Sequence, residues 1–291
     1  MSDIRPSRLY LAKIESPPAT IFEHLLARFP QVDPQIWRAR VSRGLVTLSD
    51  GTTLSEDSPY RHGITVFYQK EVPCEPGPLD EPLVVYRDEE ILVVDKPHGM
   101  QVTPAGQHVR RSLLVHLETE TGLSTLSAVH RLDRETAGLL LLSIKPDTRA
   151  HYHQLFARGT IEREYLAVAH IRDVPDQKHW RVKNRMESGD PWYLQQIVEG
   201  VANAISDIEL LEMREDLGLF RLIPQSGKKH QLRVHMASIG FPIVGDPFYP
   251  EIREKHEGDP PLQLLASRLV FTDPLTGAPR NFNALRKLQW P

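Results

Sequence analysis

Four consecutive leucines, Leu139-Leu140-Leu141-Leu142, lie between Gly138 and Ser143. An apolar run that short, bounded by turn residues, reads as the core of a strand buried on both faces, the most rigid kind of element a chain can contain. The run is fed by His130-Arg131-Leu132-Asp133-Arg134-Glu135-Thr136-Ala137. A carboxylate between two arginines therefore sits in the loop just before the stiffest strand. Loop chemistry on a rigid scaffold is how a reactive side chain is held in a fixed place. Taken by itself, Arg-x-Asp-Arg also fits a surface turn with a solvated ion pair.

At 291 residues the chain suits one large domain or two smaller ones. No apolar run is long enough to span a bilayer, and the start, Met1-Ser2-Asp3-Ile4-Arg5-Pro6, lacks the apolar stretch of a signal peptide. Cys74 is the single cysteine, which excludes an internal disulfide and gives no support to a cysteine-based metal site. These features predict a cytoplasmic protein. The net charge of -3 argues against a polyanion binder unless positive charge is concentrated locally.

In chain order, Ile21, Phe22, Leu25, Leu26 and Phe29 recur at helical spacing, so Ala19 to Phe29 reads as a helix with Thr20 as N-cap. A second helix is expected from Pro34 to Gly44, carrying Arg38, Arg40 and Arg43 among Ile36, Trp37, Ala39 and Val41. The three arginines fit a solvated face as well as a nucleic-acid contact. Leu45 to Leu48 and Gly63 to Tyr68 read as strands, with Asp50-Gly51 as a hairpin-type turn. The stretch Val72-Pro73-Cys74-Glu75-Pro76-Gly77-Pro78-Leu79 continues neither helix nor strand and reads as a linker. The expected division is residues 1–75 and 76–291.

Past the linker, Leu83 to Tyr86 and Ile91 to Val94 form a predicted hairpin, and Ser112 caps a helix running through Leu117. A helix from Pro146 to Arg158 would be capped by Asp147. Ile161 to Ala169, Asp207 to Met213 and Leu219 to Ile223 read as strands, and Gln231 to Ser238 as a helix. Hairpins alternating irregularly with helices predict an α+β fold whose sheet is mixed and largely antiparallel.

From Arg221 to Gly245 there is no Asp or Glu, while Arg221, Lys228, Lys229, His230, Arg233 and His235 all fall there. Positive charge is thus local. Ser226-Gly227-Lys228-Lys229-His230, leading into the helix at Gln231, suits a phosphate or a solvated basic loop. Arg233 fits a fixed cation that keeps an aspartate ionised in a partly dry site. His151-Tyr152-His153 is too sparse for a metal site, and no phosphate-binding or dinucleotide glycine loop is present. The reading calls for no cofactor and no metal. Asp133 could serve as nucleophile or as base. Glu135 would make a glycosidase-like carboxylate pair with it, although a two-residue spacing in an extended loop points the two apart.

Four blocks in order resemble the RluA family of RNA pseudouridine synthases. Glu90-Ile91-Leu92-Val93-Val94-Asp95-Lys96-Pro97-His98-Gly99 is similar to the strand and Lys-Pro-x-Gly turn that open the family's catalytic domain. His130 to Leu139 is similar to its central motif, and Arg163-Glu164-Tyr165-Leu166-Ala167 to its Lys-x-Tyr-x-Ala segment. Ser226 to His235, continuing through Gly245-Asp246-Pro247-Phe248-Tyr249, resembles its last two blocks.

The resemblance implies the pseudouridine synthase fold, a curved and mostly antiparallel sheet with flanking helices. It implies isomerisation of uridine in structured ribosomal or transfer RNA. By position, Asp133 would be the catalytic aspartate, Tyr165 the ring packed on the base, Arg233 the partner of the aspartate, and Arg131 the residue that evicts the base. Arg134, Lys228, Lys229 and His230 would face RNA, with Arg38, Arg40 and Arg43 on an S-four-like RNA-binding module. Residues 76–291 would be the catalytic domain, acting as a monomer on RNA and away from membranes. Arg163 and Lys228 replace the family's usual lysine and arginine, and Leu265-Ala266-Ser267 stands where leucine-histidine-alanine is common; these put the substrate, not the reaction, in question. The competing readings are a non-catalytic RNA-binding protein or chaperone on the same fold, and glycosidic hydrolysis by Asp133 with Glu135.

Overall fold

A computed structural model describes residues 6–69, 80–104, 111–256 and 258–290. The chain divides into two compact units, Met1–Glu75 and Pro76–Pro291. The stretch read as a linker, Val72 to Leu79, lies outside the described residues.

In the first unit, strand β1 (Ser7–Tyr10) precedes helices α1 (Ile21–Arg28) and α2 (Pro34–Ser42) and strands β2 (Val46–Leu48) and β3 (Thr65–Tyr68). The strands pair antiparallel in the order β1-β3-β2. Helix α1 starts where its sequence dictates. Thr20 Oγ1 accepts from the Glu23 amide at 3.1 Å, and Glu23 Oε2 accepts from the Thr20 amide at 3.3 Å. A reciprocal cap of this kind is worth about 1 kcal/mol. Asp33 caps α2, with Pro34 opening it. Ile21, Leu25, Trp37, Val46 and Val66 form the core between helices and sheet. β1 was not expected, because four residues with only alternate positions half-buried carry little pattern.

The second unit opens with β4 (Leu83–Arg87), β5 (Ile91–Lys96), α3 (Leu113–Thr121), β6 (Ser127–Ala128), β7 (Ala137–Ser143), α4 (Arg149–Ala157) and β8 (Glu162–His170). It continues with β9 (His179–Ser188), β10 (Gln195–Val198), β11 (Ala204–Arg214), β12 (Leu217–Pro224), α5 (Gln231–Ser238), β13 (Leu264–Thr272) and β14 (Pro279–Asn283). One sheet runs β10-β9-β11-β12-β8-β13-β7-β5-β4, with β14 on β13 and β6 on β7. Among the described strands only β7 and β13 pair in parallel, so the sheet is mixed and mostly antiparallel, within an α+β fold.

β7 is buried at every residue. Leu140 and Leu142 face a layer that includes Leu113 and Leu117 of α3 and Leu232 and Met236 of α5. Leu139 and Leu141 face Tyr152 and Leu155 of α4 together with Phe271. Helix α4 begins later than expected. Pro146, Asp147 and Thr148 are spent in a turn that Thr148 Oγ1 ties to Glu90 Oε2 at 2.6 Å, so Thr148 rather than Asp147 is the N-cap.

Gly138 lies between Lys96 of β5 and Ala266 of β13, and Ala266 pairs in turn with Tyr165 of β8. One row across the sheet thus joins the strand that carries the Asp133 loop to the strand that carries Tyr165. A Cβ on Gly138 would lie 2.3 Å from the Ala266 carbonyl oxygen and 2.6 Å from its nitrogen, and φ there is +109°. Neither backbone can yield without parting β7 from β13. Gly138→Ala is expected to cost about 3 kcal/mol or more, read as a lowered urea midpoint; an unchanged midpoint would contradict the close approach.

Candidate active site

Asp133 opens the last turn of the loop that enters β7. Its carbonyl accepts from the Thr136 amide at 3.1 Å, closing a tight turn. The sequence secures this turn on several sides. Leu132 is buried in the core. The His130 ring stacks on Phe156 with centroids 4.5 Å apart, and its Nε2 accepts from the Leu141 amide at 3.1 Å. Burial, reinforced by the nearby Arg163 charge, drives the His130 pKa down to about 3, so the ring is a neutral peg.

Beneath the turn lies Lys96, fully buried, whose Nζ donates to the carbonyls of Pro97 (3.0 Å), Met100 (2.8 Å) and Arg134 (3.1 Å). Desolvation brings its pKa down to about 7 against the opposing pull of Glu135 and Asp133. An apolar strand ending in Asp95-Lys96 was the signal for this residue, since a lysine that continues a buried strand must find acceptors inside. Asp95, equally buried, accepts from the amides of Leu285 and Arg286 at 2.7 Å each and ties the C-terminal segment to β5.

Arg233 projects from α5 and is 1% exposed. Its Nε and Nη2 donate to Asp246 Oδ2 and Oδ1 at 2.8 and 2.6 Å, a bidentate fork. The guanidinium also lies against the rings of Phe248 and Tyr249, at 5.1 and 5.3 Å. Its remaining nitrogen, Nη1, stands 3.8 Å from Asp133 Oδ2.

Arg233 and Asp133 are therefore neighbours, as the sequence suggests, but the close partner of Arg233 is Asp246. This changes the electrostatics. Burial lifts the Asp133 carboxyl above its usual range. Arg233, Lys96 and Lys229 pull it back only in part, and Asp246 pushes the same way as burial. Arg233 is the largest of the influences that favour the ionised carboxylate, with Lys96 and Lys229 beside it, while its hydrogen-bonding fork is engaged by Asp246. The Asp133 side chain remains 29% exposed, so its carboxylate is open to an incoming group. Tyr165 is buried in β8; desolvation raises its phenol pKa, and Asp133 adds to the rise.

The other expected contacts divide. Arg131 is exposed beside Asp133, and Lys228 and Lys229 are exposed before α5. Arg134 folds back on Glu135, with Nε and Nη2 at 2.8 and 2.6 Å from Oε1. Although burial pulls the Glu135 carboxyl upward, Arg134 and then Lys255 hold it below its usual range. Glu135 is thus an anchored anion rather than a second acid for Asp133.

His230 is not offered to RNA. It is buried, stacks on Phe248 at 5.8 Å, and its Nδ1 meets the Tyr249 hydroxyl at 2.9 Å. Desolvation and Arg233 take its pKa down to about 3, so it carries no charge. In the first unit, Arg40 is likewise buried, over the Trp37 ring at 5.0 Å, and packs rather than reaches outward. Arg38 is exposed and pairs with Glu56 at 3.4 Å, and Arg43 is exposed at the end of α2.

The architecture is shared by two solved human proteins. One is RNA Pseudouridylate Synthase Domain Containing 1, at a TM-score of 0.59 and 20% identity over 75% of this chain and 94% of that one. The other is RNA Pseudouridylate Synthase Domain Containing 4, at 0.53 and 24% over 71% and 88%. The class is thereby a pseudouridine synthase fold. The family model for RNA pseudouridylate synthase matches residues 90–238. An uncharacterized RNA pseudouridine synthase of Bacillus subtilis is 32% identical over 74% of this chain and 71% of its own length. Ribosomal large subunit pseudouridine synthase D of Zymomonas mobilis is 30% identical over 84% and 83%, and its namesake in Xanthomonas campestris 31% over 78% and 70%. The chain belongs to the RluA family of RNA pseudouridine synthases, isomerases that convert uridine in RNA to pseudouridine.

Proposed function

We propose that this enzyme modifies uridines in structured RNA of the large ribosomal subunit, with Asp133 as the catalytic nucleophile. The observation that carries the reading is the placement of the half-open Asp133 carboxylate 3.8 Å from a buried guanidinium that is itself clamped by Asp246. The ribosomal assignment draws on two relatives that bear large-subunit names. In this reading the target nucleotide leaves its stack, at a cost of a few kcal/mol. The exposed Arg131 offsets that cost by taking its place, and the Tyr165 ring packs on the base.

Asp133 labilises the bond between ribose C1′ and uracil N1. The base turns and rejoins through C5. N1 gains a proton and C5 loses one, so no water or electron is consumed. The fixed cation of Arg233 limits reorganisation around Asp133 as charge shifts. Exposed Arg38 and Arg43 of the first unit would give RNA a further contact, in keeping with an S-four-like role for that unit, and the protein would work as a cytoplasmic monomer.

Pseudouridine mapping of total RNA from cells with and without the gene tests the substrate. Loss of sites in large-subunit RNA is the expected result, whereas loss confined to transfer RNA would overturn the ribosomal assignment. Lys96→Met is expected to lower kcat by about 100-fold, because releasing the Arg134 carbonyl lets the neighbouring Asp133 drift. A tritium-release time course under saturating RNA reads it; an undiminished kcat would show that the buried ammonium does not position the loop.

A further inference from the structure

The turn at 189–194 between β9 and β10 carries Trp192, a residue 79% exposed. Isolated exposed valines and leucines are ordinary on a protein surface, but a wholly presented indole on an ordered turn is not. The turn is closed by the Gly189 amide to the Leu194 carbonyl at 3.1 Å and the Leu194 amide to the Pro191 carbonyl at 2.9 Å. It is also bound to the site. The Gln195 amide donates to the Tyr249 hydroxyl at 2.8 Å, and Tyr193 packs on Phe248 at 5.6 Å. Phe248 in turn lies against Arg233.

Lys229 completes the connection. Its Nζ donates to the Tyr193 carbonyl at 2.7 Å and stands 5.6 Å from the Trp192 ring centroid. The same ammonium acts electrostatically on Asp133. An exposed indole with a cation over its ring, joined through an ordered turn to the surroundings of Asp133, is the chemistry that binds unpaired nucleic acid: the open side of the ring takes a base and the ammonium takes phosphate.

We propose that Trp192, with Lys229, is a base-stacking subsite for an unpaired nucleotide flanking the target uridine. The proposal rests on the RNA substrate assigned above and extends it to a particular contact.

The test uses the full-length Asp133→Asn protein, a short single-stranded oligouridylate, and an abasic ribose-phosphate oligomer of equal length as the charge-only control. Oligouridylate is expected to quench indole fluorescence, and the abasic oligomer is not. The quench should vanish in Trp192→Phe, which keeps affinity within about threefold, while Trp192→Ala loses affinity by about 5- to 150-fold, the range for removing an aromatic from under a base. With Asp133 intact, Trp192→Ala should raise KM for RNA from cells lacking the gene by a similar factor, the loss falling on KM rather than kcat. Because the residue is a surface one, its variants should unfold as wild type does.

Equal oligouridylate affinities for wild type and Trp192→Ala would overturn the proposal, as would an equal quench by the abasic oligomer or no quench at millimolar oligouridylate. A dimer in sedimentation that Trp192→Ala dissolves, with RNA affinity unchanged, would assign the indole to a second copy and equally overturn it. None of these outcomes touches the role of Asp133, which is read from turnover alone.

Discussion

Replacing Asp246 with alanine is expected to cost about 3–5 kcal/mol of stability and most of the activity. Arg233 and Asp246 are each 1% exposed at the side chain. Removing the carboxylate leaves a cation in a dry site with both arms of its fork unmatched. The Phe248 and Tyr249 amides, at 2.9 and 3.2 Å from Asp246 Oδ1, lose their acceptor as well. Asp133, at 3.8 Å, is then the nearest acid to the freed guanidinium.

The Asp246→Asn variant separates two effects. It keeps the shape and one acceptor, so it should unfold closer to wild type. Arg233 would turn its charge to Asp133, whose pKa should fall, because the opposing carboxylate is gone and the cation is no longer shared. The acid limb of the kcat profile should therefore move to lower pH. The groups facing Asp133 that set this limb are Arg233 on α5, Lys229 before α5, Lys96 on β5 and Asp246 itself. Urea unfolding reads the stability. A loss below about 1 kcal/mol for Asp246→Ala would mean the buried fork contributes little.

How far the chain could be read from its residues follows from where each signal lay. The doubly buried strand was legible because its leucines alternate between two cores, one under α3 and α5 and the other under α4. Helix α5 was legible at both ends, since Gly240 stops it and its start follows the glycine turn. The strands from His179 to Ser188 and from Pro279 to Asn283 were harder to read: in the first, Asn184 interrupts the inward row of Trp180, Val182 and Met186 among charged neighbours, and in the second Phe282 is the single large apolar residue.

At the site, Asp133, Tyr165 and Arg233 could be named from motif resemblance, and all three lie in the second unit around one stretch of sheet. The bidentate partnership of Arg233 with Asp246 could not be read, since the two are thirteen residues apart and joined by a turn rather than by helical spacing. The same limit applies to His230 and Arg40. Sequence shows that they are basic residues in basic stretches, but whether such a ring or guanidinium turns inward depends on which aromatics the fold brings beside it. Here those are Phe248 and Trp37.

The central claim is that one carboxylate, Asp133, performs the isomerisation. Asparagine at this position keeps the volume of the side chain and leaves the Thr136-to-Asp133 backbone bond untouched. Stability should therefore stay within about 1 kcal/mol of wild type, and RNA affinity should be retained. What is lost is the ionisable oxygen. The decisive measurement is release of tritium from the uracil carbon that becomes glycosidic, followed in bulk RNA with wild type and with Asp133→Asn. The account predicts that the variant's rate falls by at least about 1000-fold while it still binds RNA; equal release from both proteins would contradict it.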